Sequence, residues 1–391
     1  MLNTPFPAWP SFTSEEADAV RRVLLSNRVN YWTGEEGRAF EREFAAWAGT
    51  QHAVALANGT LALEVALRAL GIGPGDEVVV TPRSFVASAS CVVTVGATPV
   101  FADVDADSQN ITPTTVEAVL TKRTRALIAV HLAGWPCEMD EFFELARARK
   151  LSIVEDCAQA HGARYRGRSV GSIGDIGAWS FCQDKIMTTG GEGGMVTTND
   201  AELWSRAWSD KDHGKSWAEV YERSHPPGFR WLHESIGTNA RMIELQAVIG
   251  RIQLGCMSEW HAARARNAEA IAQAARACSA LRVPVVPPHL EHAWYKFYCF
   301  VRPDALKADW SRDRIMAEIN AAGVPCYVGS CPEVYLEKAF TSRGLGPSER
   351  LSVARQLGET SLMFLAHPTL AGAHLDKAGA TIREVMRRAT R

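Results

Sequence analysis

The sequence predicts an α/β fold: a large domain with a mainly parallel central sheet sandwiched by helices, plus a smaller C-terminal α+β domain. Three observations point there. Strand-like and helix-like stretches alternate from residue 52 to residue 156, the pattern of parallel strands joined by crossover helices. The strand stretches, such as Val78-Val79-Val80 and Ala126-Leu127-Ile128-Ala129-Val130, are apolar throughout, as strands buried on both faces should be. A chain of 391 residues exceeds one ordinary core, so two domains are expected, divided as residues 1–250 and 251–391.

After a Pro-rich lead, a helix is expected over 14–26, with Ser14 as N-cap and Glu15, Glu16 and Asp18 in its first turn. A helix over 36–48 stops at Gly49, and a strand over 52–57 runs into the turn Asn58-Gly59-Thr60. The next helix ends at Gly71; its only charges, Glu64 and Arg68, share a face, so the rest should be buried. Strands follow over 77–81, 99–102, 126–131 and 151–156, separated by helices over 84–95, 112–120 and 137–150. Ligands of such a sheet lie beyond the carboxyl ends of its strands, which places 58–60, His131, Asp156 and Lys185 in one region. Lys185 follows an apolar-aromatic run and precedes four glycines within 188–194, with a strand resuming over 195–198. It is either an exposed lysine on a glycine hairpin or a lysine held between two strands against a bound group.

Residues 201–235 mix charge with Trp204, Trp208, Trp217, Tyr221 and Trp231. They read either as a surface excursion with aromatics tucked beneath it or as a substrate-covering loop. A long helix over 241–280, with Gly250 and Gly255 as candidate breaks, leads to the second domain. There a strand over 294–301, a helix over 309–322, a strand over 324–327 and a closing helix over 373–388 are expected.

Composition excludes several classes. A net charge of −2 offers no electrostatic footprint for nucleic acid or an anionic membrane. Nine cysteines without a Cys-x-x-Cys pair argue against a disulfide framework and a common zinc site, and for a reducing cytoplasm. The start, Met-Leu-Asn-Thr-Pro-Phe-Pro, lacks a basic and then apolar leader, so no signal peptide is expected. Gly71-Ile-Gly73-Pro-Gly75 follows a helix instead of opening one, and Ser209 stands where a P-loop before Gly214-Lys215-Ser216 needs glycine. No ligand cluster forms around His131 or His161, and ordinary polar roles are expected for both.

Asn58-Gly59-Thr60 serves either as an ordinary N-cap or as a phosphate cradle at a helix start. Asp156 ends an apolar strand and needs a partner there, either an arginine or a protonated ring nitrogen. Together, a phosphate cradle, the aromatic Phe85 after a strand, Asp156 and a lysine 29 positions later meet the needs of pyridoxal phosphate catalysis.

At this point the chain closely resembles the DegT/StrS family of nucleotide-sugar aminotransferases, which share the type I fold of aspartate aminotransferase. The resemblance rests on Asn58-Gly-Thr, Glu155-Asp-Cys-Ala-Gln-Ala-His-Gly, Ser180-Phe-x-x-x-Lys185, Thr188-Thr-Gly-Gly-Glu-Gly-Gly-Met and Gly237-Thr-Asn-x-Arg-Met. It implies that Gly59, Thr60 and Ser180 bind the phosphate of pyridoxal 5'-phosphate, that Phe85 stacks on its ring, and that Asp156 pairs with the ring nitrogen. Gln159 would lie on its 3-hydroxyl side, and Lys185 would carry it as a Schiff base and shuttle protons. Asn239 would reach the phosphate of a neighbouring subunit, making a homodimer the minimal active unit. The implied reaction is transfer of an amino group, from L-glutamate, to a keto group of a nucleotide-linked sugar in polysaccharide, lipopolysaccharide or glycoconjugate synthesis. A different pyridoxal phosphate reaction, such as dehydration, and a catalytically silent regulatory relative are the alternatives.

Overall fold

The computed structural model describes residues 5–391; the first four residues of the Pro-rich lead lie outside the described residues. The helices α1 (Ser14–Leu25) and α2 (Glu36–Ala48) lead into β1 (His52–Leu56). There follow α3 (Gly59–Ala69), β2 (Glu77–Val80), α4 (Ala87–Thr94), β3 (Thr98–Phe101), α5 (Pro113–Glu117) and β4 (Thr124–Val130). Next come α6 (Met139–Arg149), β5 (Ser152–Asp156), β6 (Arg164–Tyr165), β7 (Arg168–Ser169), β8 (Ile176–Ser180) and β9 (Gly194–Thr198). The chain continues through α7 (Ala201–Lys211), α8 (Trp217–Tyr221), α9 (Glu244–Arg276), β10 (Leu281–Arg282), β11 (Leu290–Glu291) and β12 (Lys296–Val301). It closes with α10 (Arg312–Ala321), β13 (Cys326–Tyr327), α11 (Lys338–Thr341), α12 (Ser352–Thr360), β14 (Ser361–Leu365) and α13 (Gly372–Ala389).

The main sheet has seven strands in the order β1-β9-β8-β5-β4-β2-β3. Every pair from β8 to β3 is parallel, and β9 alone runs against its neighbours β1 and β8. The unbroken apolar runs have the expected cause. Val78 and Val80 face one core with Ala126 and Ile128, while Val79 faces the opposite core with Leu127 and Ala129. Helices α3 and α4 cover the first face and α6 the second. The mainly parallel, helix-covered sheet anticipated from the sequence is therefore present. A four-stranded antiparallel sheet, β10-β12-β14-β13, carries α10, α13 and the end of α9 in the C-terminal part.

Several boundaries differ from expectation for identifiable reasons. Thr13, not Ser14, caps α1, in a capping box with Glu16. The helix α9 runs unbroken through Gly250 and Gly255, and so crosses the division expected at residue 250. Gly250 is a packing device: a Cβ there would sit 2.6 Å from the Phe40 ring of α2. Nothing in the structure explains Gly255. Residues 201–211 are a regular helix capped by Asp200, not a surface excursion. Trp208 is fully buried, with Trp217 at 5.0 Å and its indole N–H on the Tyr31 hydroxyl at 3.2 Å. The exposed part of that region is the later stretch bearing Phe229, Trp231 and Ile236. Among the described residues no helix is long and apolar enough to cross a membrane.

Candidate active site

The site forms where β5 and β8 end side by side. Asp156, the last residue of β5, pairs in register with Val130 of β4 on one side and Ala178 of β8 on the other. After Ser180 the chain leaves the sheet and returns antiparallel as β9, so Lys185 occupies the hairpin between two main-sheet strands. The hairpin is held from within and without. Thr188 donates its hydroxyl to the Phe181 carbonyl at 2.9 Å, and Gln253 of α9 accepts from the Thr188 N–H at 2.8 Å. The Lys185 carbonyl accepts from the Trp9 indole at 2.7 Å, and its Nζ lies 5.0 Å from the Tyr295 ring centroid. Lys185 is thus half-buried and fixed, not a free hairpin lysine.

The start of α3 meets this hairpin at van der Waals distance. Asn58 caps the helix by accepting from the Leu61 N–H at 2.9 Å. A Cβ on Gly59 would lie 2.5 Å from the Ser180 Cβ, and one on Gly194 would strike the Asn58 carbonyl. Only glycine permits this convergence of helix start and strand ends. It brings Gly59, Thr60 and Ser180 to one corner, with the positive end of the α3 dipole directed at it.

Asp156 is buried, and its two oxygens are unequally served. Oδ2 accepts from the Ser88 hydroxyl at 2.7 Å and Oδ1 from the Ala158 N–H at 3.1 Å. Burial raises its pKa, and the hydrogen bond from Ser88, that from Ala158 and the charge of Lys185 offset only part of that rise. Neither arginine nor lysine forms an ion pair with it among the described residues. Ser88 belongs to the turn that starts at Phe85, whose carbonyl accepts the Ser88 N–H at 3.2 Å. Phe85 itself is 64% exposed. Gln159 is buried, with its Oε1 accepting from the Ala133 N–H at 2.8 Å.

The neighbouring Glu155 faces the other way. It accepts from the N–H groups of Gly171 (2.8 Å), Ile173 (2.8 Å) and Gly174 (2.6 Å), and meets His131 Nε2 at 3.0 Å. Burial alone would raise its pKa, yet the bond and charge of His131 and these backbone donors bring it below the usual value. His131 Nδ1 accepts from the Cys137 N–H at 3.0 Å, so Nε2 carries the proton given to Glu155. The atoms of His131, Glu155 and Cys157 lie within 4.8 Å of one another, but both imidazole nitrogens are committed to hydrogen bonds, as the polar reading of His131 anticipated. His161 is enclosed by Trp179 and Phe181, and burial pushes its pKa down to about 3.

The structure thus brings Gly59, Thr60, Asp156, Gln159, Ser180 and Lys185 to one corner, with Phe85 at its edge. Asn239 is exposed, although its chain neighbour Ala240 accepts the Ala57 N–H at 2.9 Å beside the α3 start. Ser88, Tyr295, Trp9 and Arg264 were not singled out from the sequence. Ser88 stands four residues after Ser84, whose hydroxyl it meets at 2.8 Å. That Ser-x-x-x-Ser spacing on a helix start was the available signal. Tyr295 and Trp9 arrive from distant parts of the chain, with no local signal.

A mainly parallel sheet whose one reversed strand closes a lysine hairpin beside a buried strand-end aspartate defines an aminotransferase of the α/β type. The chain belongs to the DegT/DnrJ/EryC1/StrS aminotransferase family, whose model matches residues 10–383. Members of this family are pyridoxal phosphate-dependent enzymes, and this chain is one of its transaminases. It is 37% identical to a dTDP-3-amino-3,4,6-trideoxy-alpha-D-glucose transaminase of Streptomyces venezuelae, over 88% of this chain and 84% of that one. It is 35% identical to a GDP-perosamine synthase of Caulobacter vibrioides, with 97% of each covered. Among solved structures it is similar to an aminotransferase of Psychrobacter cryohalolentis, at 61% identity and a TM-score of 0.96, covering 98% of this chain and 99% of that one.

Proposed function

We propose that this chain binds pyridoxal 5'-phosphate through Lys185 and transfers an amino group from L-glutamate to a keto group of a nucleotide-linked sugar. The pathway served is amino-sugar synthesis for polysaccharide or glycoconjugate, and the working form is a cytoplasmic homodimer. The observation that carries the reading is the convergence of three unlike groups: the glycine-opened start of α3, the Lys185 hairpin and the buried, underserved carboxylate of Asp156. The chemistry of this set fits the cofactor. A dianionic phosphate matches the N–H groups of Gly59 and Thr60, and a cationic ring nitrogen matches a buried aspartate without another cation. The nucleotide-linked amino sugars in the names of the two relatives above support the acceptor class.

When bound, pyridoxal phosphate supplies an electron-accepting ring that stabilises negative charge at the donor α-carbon. The residues do the rest. Asp156 would hold a proton on the ring nitrogen, with Ser88 keeping that carboxylate aimed. Lys185 Nζ would carry the proton from the donor α-carbon to the cofactor C4′, and in the other half from C4′ to the sugar carbon that gains the nitrogen. Gln159, fixed by the Ala133 N–H, would serve the 3-hydroxyl side, and Phe85 would stack on the ring. Ser180 joins the phosphate corner beside Gly59. The exposed apolar stretch with Phe229, Trp231 and Ile236, next to exposed Asn239, supports pairing of two copies in which Asn239 serves its neighbour's phosphate. Incubation with glutamate and a panel of keto sugar nucleotides should release 2-oxoglutarate in step with amino sugar. Dehydrated sugar without 2-oxoglutarate would contradict the reading.

A further inference from the structure

Among the buried side chains with unpartnered donors are two arginines, Arg83 and Arg264, and Arg264 is the one that borders the lysine. Arg264, on α9, is 1% exposed. Its Nη1 donates to the carbonyls of Trp294 at 3.5 Å and Tyr295 at 3.4 Å, while Nε and Nη2 have no hydrogen-bond partner among the described residues. Nε and Nη2 form the edge that grips both oxygens of a carboxylate. Arg251, thirteen residues earlier on the same helix, uses that edge on Glu43, with Nε at 2.9 Å and Nη2 at 2.7 Å. Burial lowers the Arg264 pKa to about 9, which still leaves it charged at neutral pH. A buried charge of this kind requires a counter-charge.

Arg264 lines a cavity of about 310 Å³ with Trp9, Asp184, Tyr295, Lys296 and His367. The cavity adjoins the lysine. Asp184 is the residue before Lys185, Trp9 holds the Lys185 carbonyl, and the Tyr295 ring has Lys185 Nζ at 5.0 Å and Lys296 Nζ at 4.6 Å. The acid in the wall is already committed, since Asp184 accepts from the Tyr295 hydroxyl at 2.6 Å and pairs with Lys296 at 3.5 Å. Burial and the charges of Arg264 and Lys296 push the His367 pKa down to about 3, so it adds no charge near neutrality. Arg264 is the surplus cation of the cavity.

We propose that this cavity receives a carboxylate of the amino donor, gripped by the Nε–Nη2 edge of Arg264, which makes Arg264 a specificity-determining residue. The inference rests on the aminotransferase reading above, with an amino acid as donor. Glutamate offers an α-carboxylate and a distal one of the same chemistry, and the experiment separates them. Donor is added without sugar to the holoenzyme, and the change in cofactor absorbance is followed against donor concentration. In Arg264→Gln the glutamate concentration for half-conversion should rise about tenfold to a hundredfold, as loss of a charged hydrogen-bonded pair implies. The limiting rate and the KM for keto sugar should stay within about twofold of wild type. An equal rise for glutamine assigns the α-carboxylate, and a rise confined to glutamate assigns the distal one. Tyr327 also lines the cavity and is 46% exposed, so Tyr327→Glu tolerates its charge; by repelling the donor it should raise the glutamate requirement in the same way. It decides the matter if Arg264→Gln does not fold. Wild-type holoenzyme that no amino acid converts would overturn the donor reading itself. Conversion of wild type with an unchanged glutamate requirement in the variants would overturn the carboxylate site alone.

Discussion

Glu155 and Asp156 are adjacent on β5, both buried, and point to opposite faces of the same sheet. Glu155 has three backbone donors and a histidine, and its proton affinity falls below that of a free glutamate. Asp156 has one hydroxyl and one N–H, and its proton affinity rises. A carboxylate saturated by its own chain is part of the scaffold: Glu155 spends its oxygens on His131 and on holding residues 171–174 to the sheet. Asp156, with only two donors, is left able to pair with a positive charge, as the proposed function requires. The same contrast separates Arg251, locked to Glu43, from Arg264.

Breaking each carboxylate should therefore give different losses. Glu155→Ala leaves His131 and three backbone N–H groups without their acceptor, and should cost about 3–5 kcal/mol in denaturant unfolding. Asp156→Asn keeps the size and the Ser88 contact while removing the charge. It should slow amino transfer about 100- to 1,000-fold, yet change stability by no more than about 1 kcal/mol. Single-turnover kinetics and chemical melts on the same preparations would read both.

Which of these features the sequence carried follows from their range along the chain. Gly59, Asp156, Gln159 and Lys185 stand in short motifs whose spacing survives without knowledge of the fold, and the main sheet announced itself through its unbroken apolar runs. Tyr295 and Arg264 gain their roles only from contacts made across the chain, with no local pattern to mark them, and Ser88 is marked only by its spacing from Ser84. The helix α7 was masked by its tryptophans and charges, although Asp200 is an ordinary N-cap. The strand β14 carries no mark in the sequence because it follows α12 directly, with no Gly or Pro between Thr360 and Ser361 to signal a change of period.

Acid titration of the cofactor-free protein sharpens the contrast, because the two carboxylates act with opposite sign. The pKa of Glu155 is depressed on folding, so its stabilisation is present above 4.5 and is lost as pH falls through the folded value. That of Asp156 is raised, so its penalty appears as pH rises from 3.8 through the folded value and is relieved on acidification. Lowering the pH through this range should cost wild type more stability than Glu155→Gln and less than Asp156→Asn. A shared loss precedes it: His161, His292 and His367, held down to about 3, each withdraw up to about 1.4 kcal/mol per pH unit below 6.5. Ser88→Ala should have the smallest effect, removing one of two donors to Asp156. Transfer should slow by several-fold and stability should fall by about 1 kcal/mol.

The account turns on Asp156 and Lys185 acting on one bound group, with Lys185 as its covalent anchor. Borohydride reduction of the purified protein, followed by peptide mass mapping, tests this directly. The expected result is a pyridoxyl adduct on Lys185, absent from Lys185→Ala. An adduct confined to another lysine, such as Lys296 or Lys211, in protein that still transfers amino groups would contradict it.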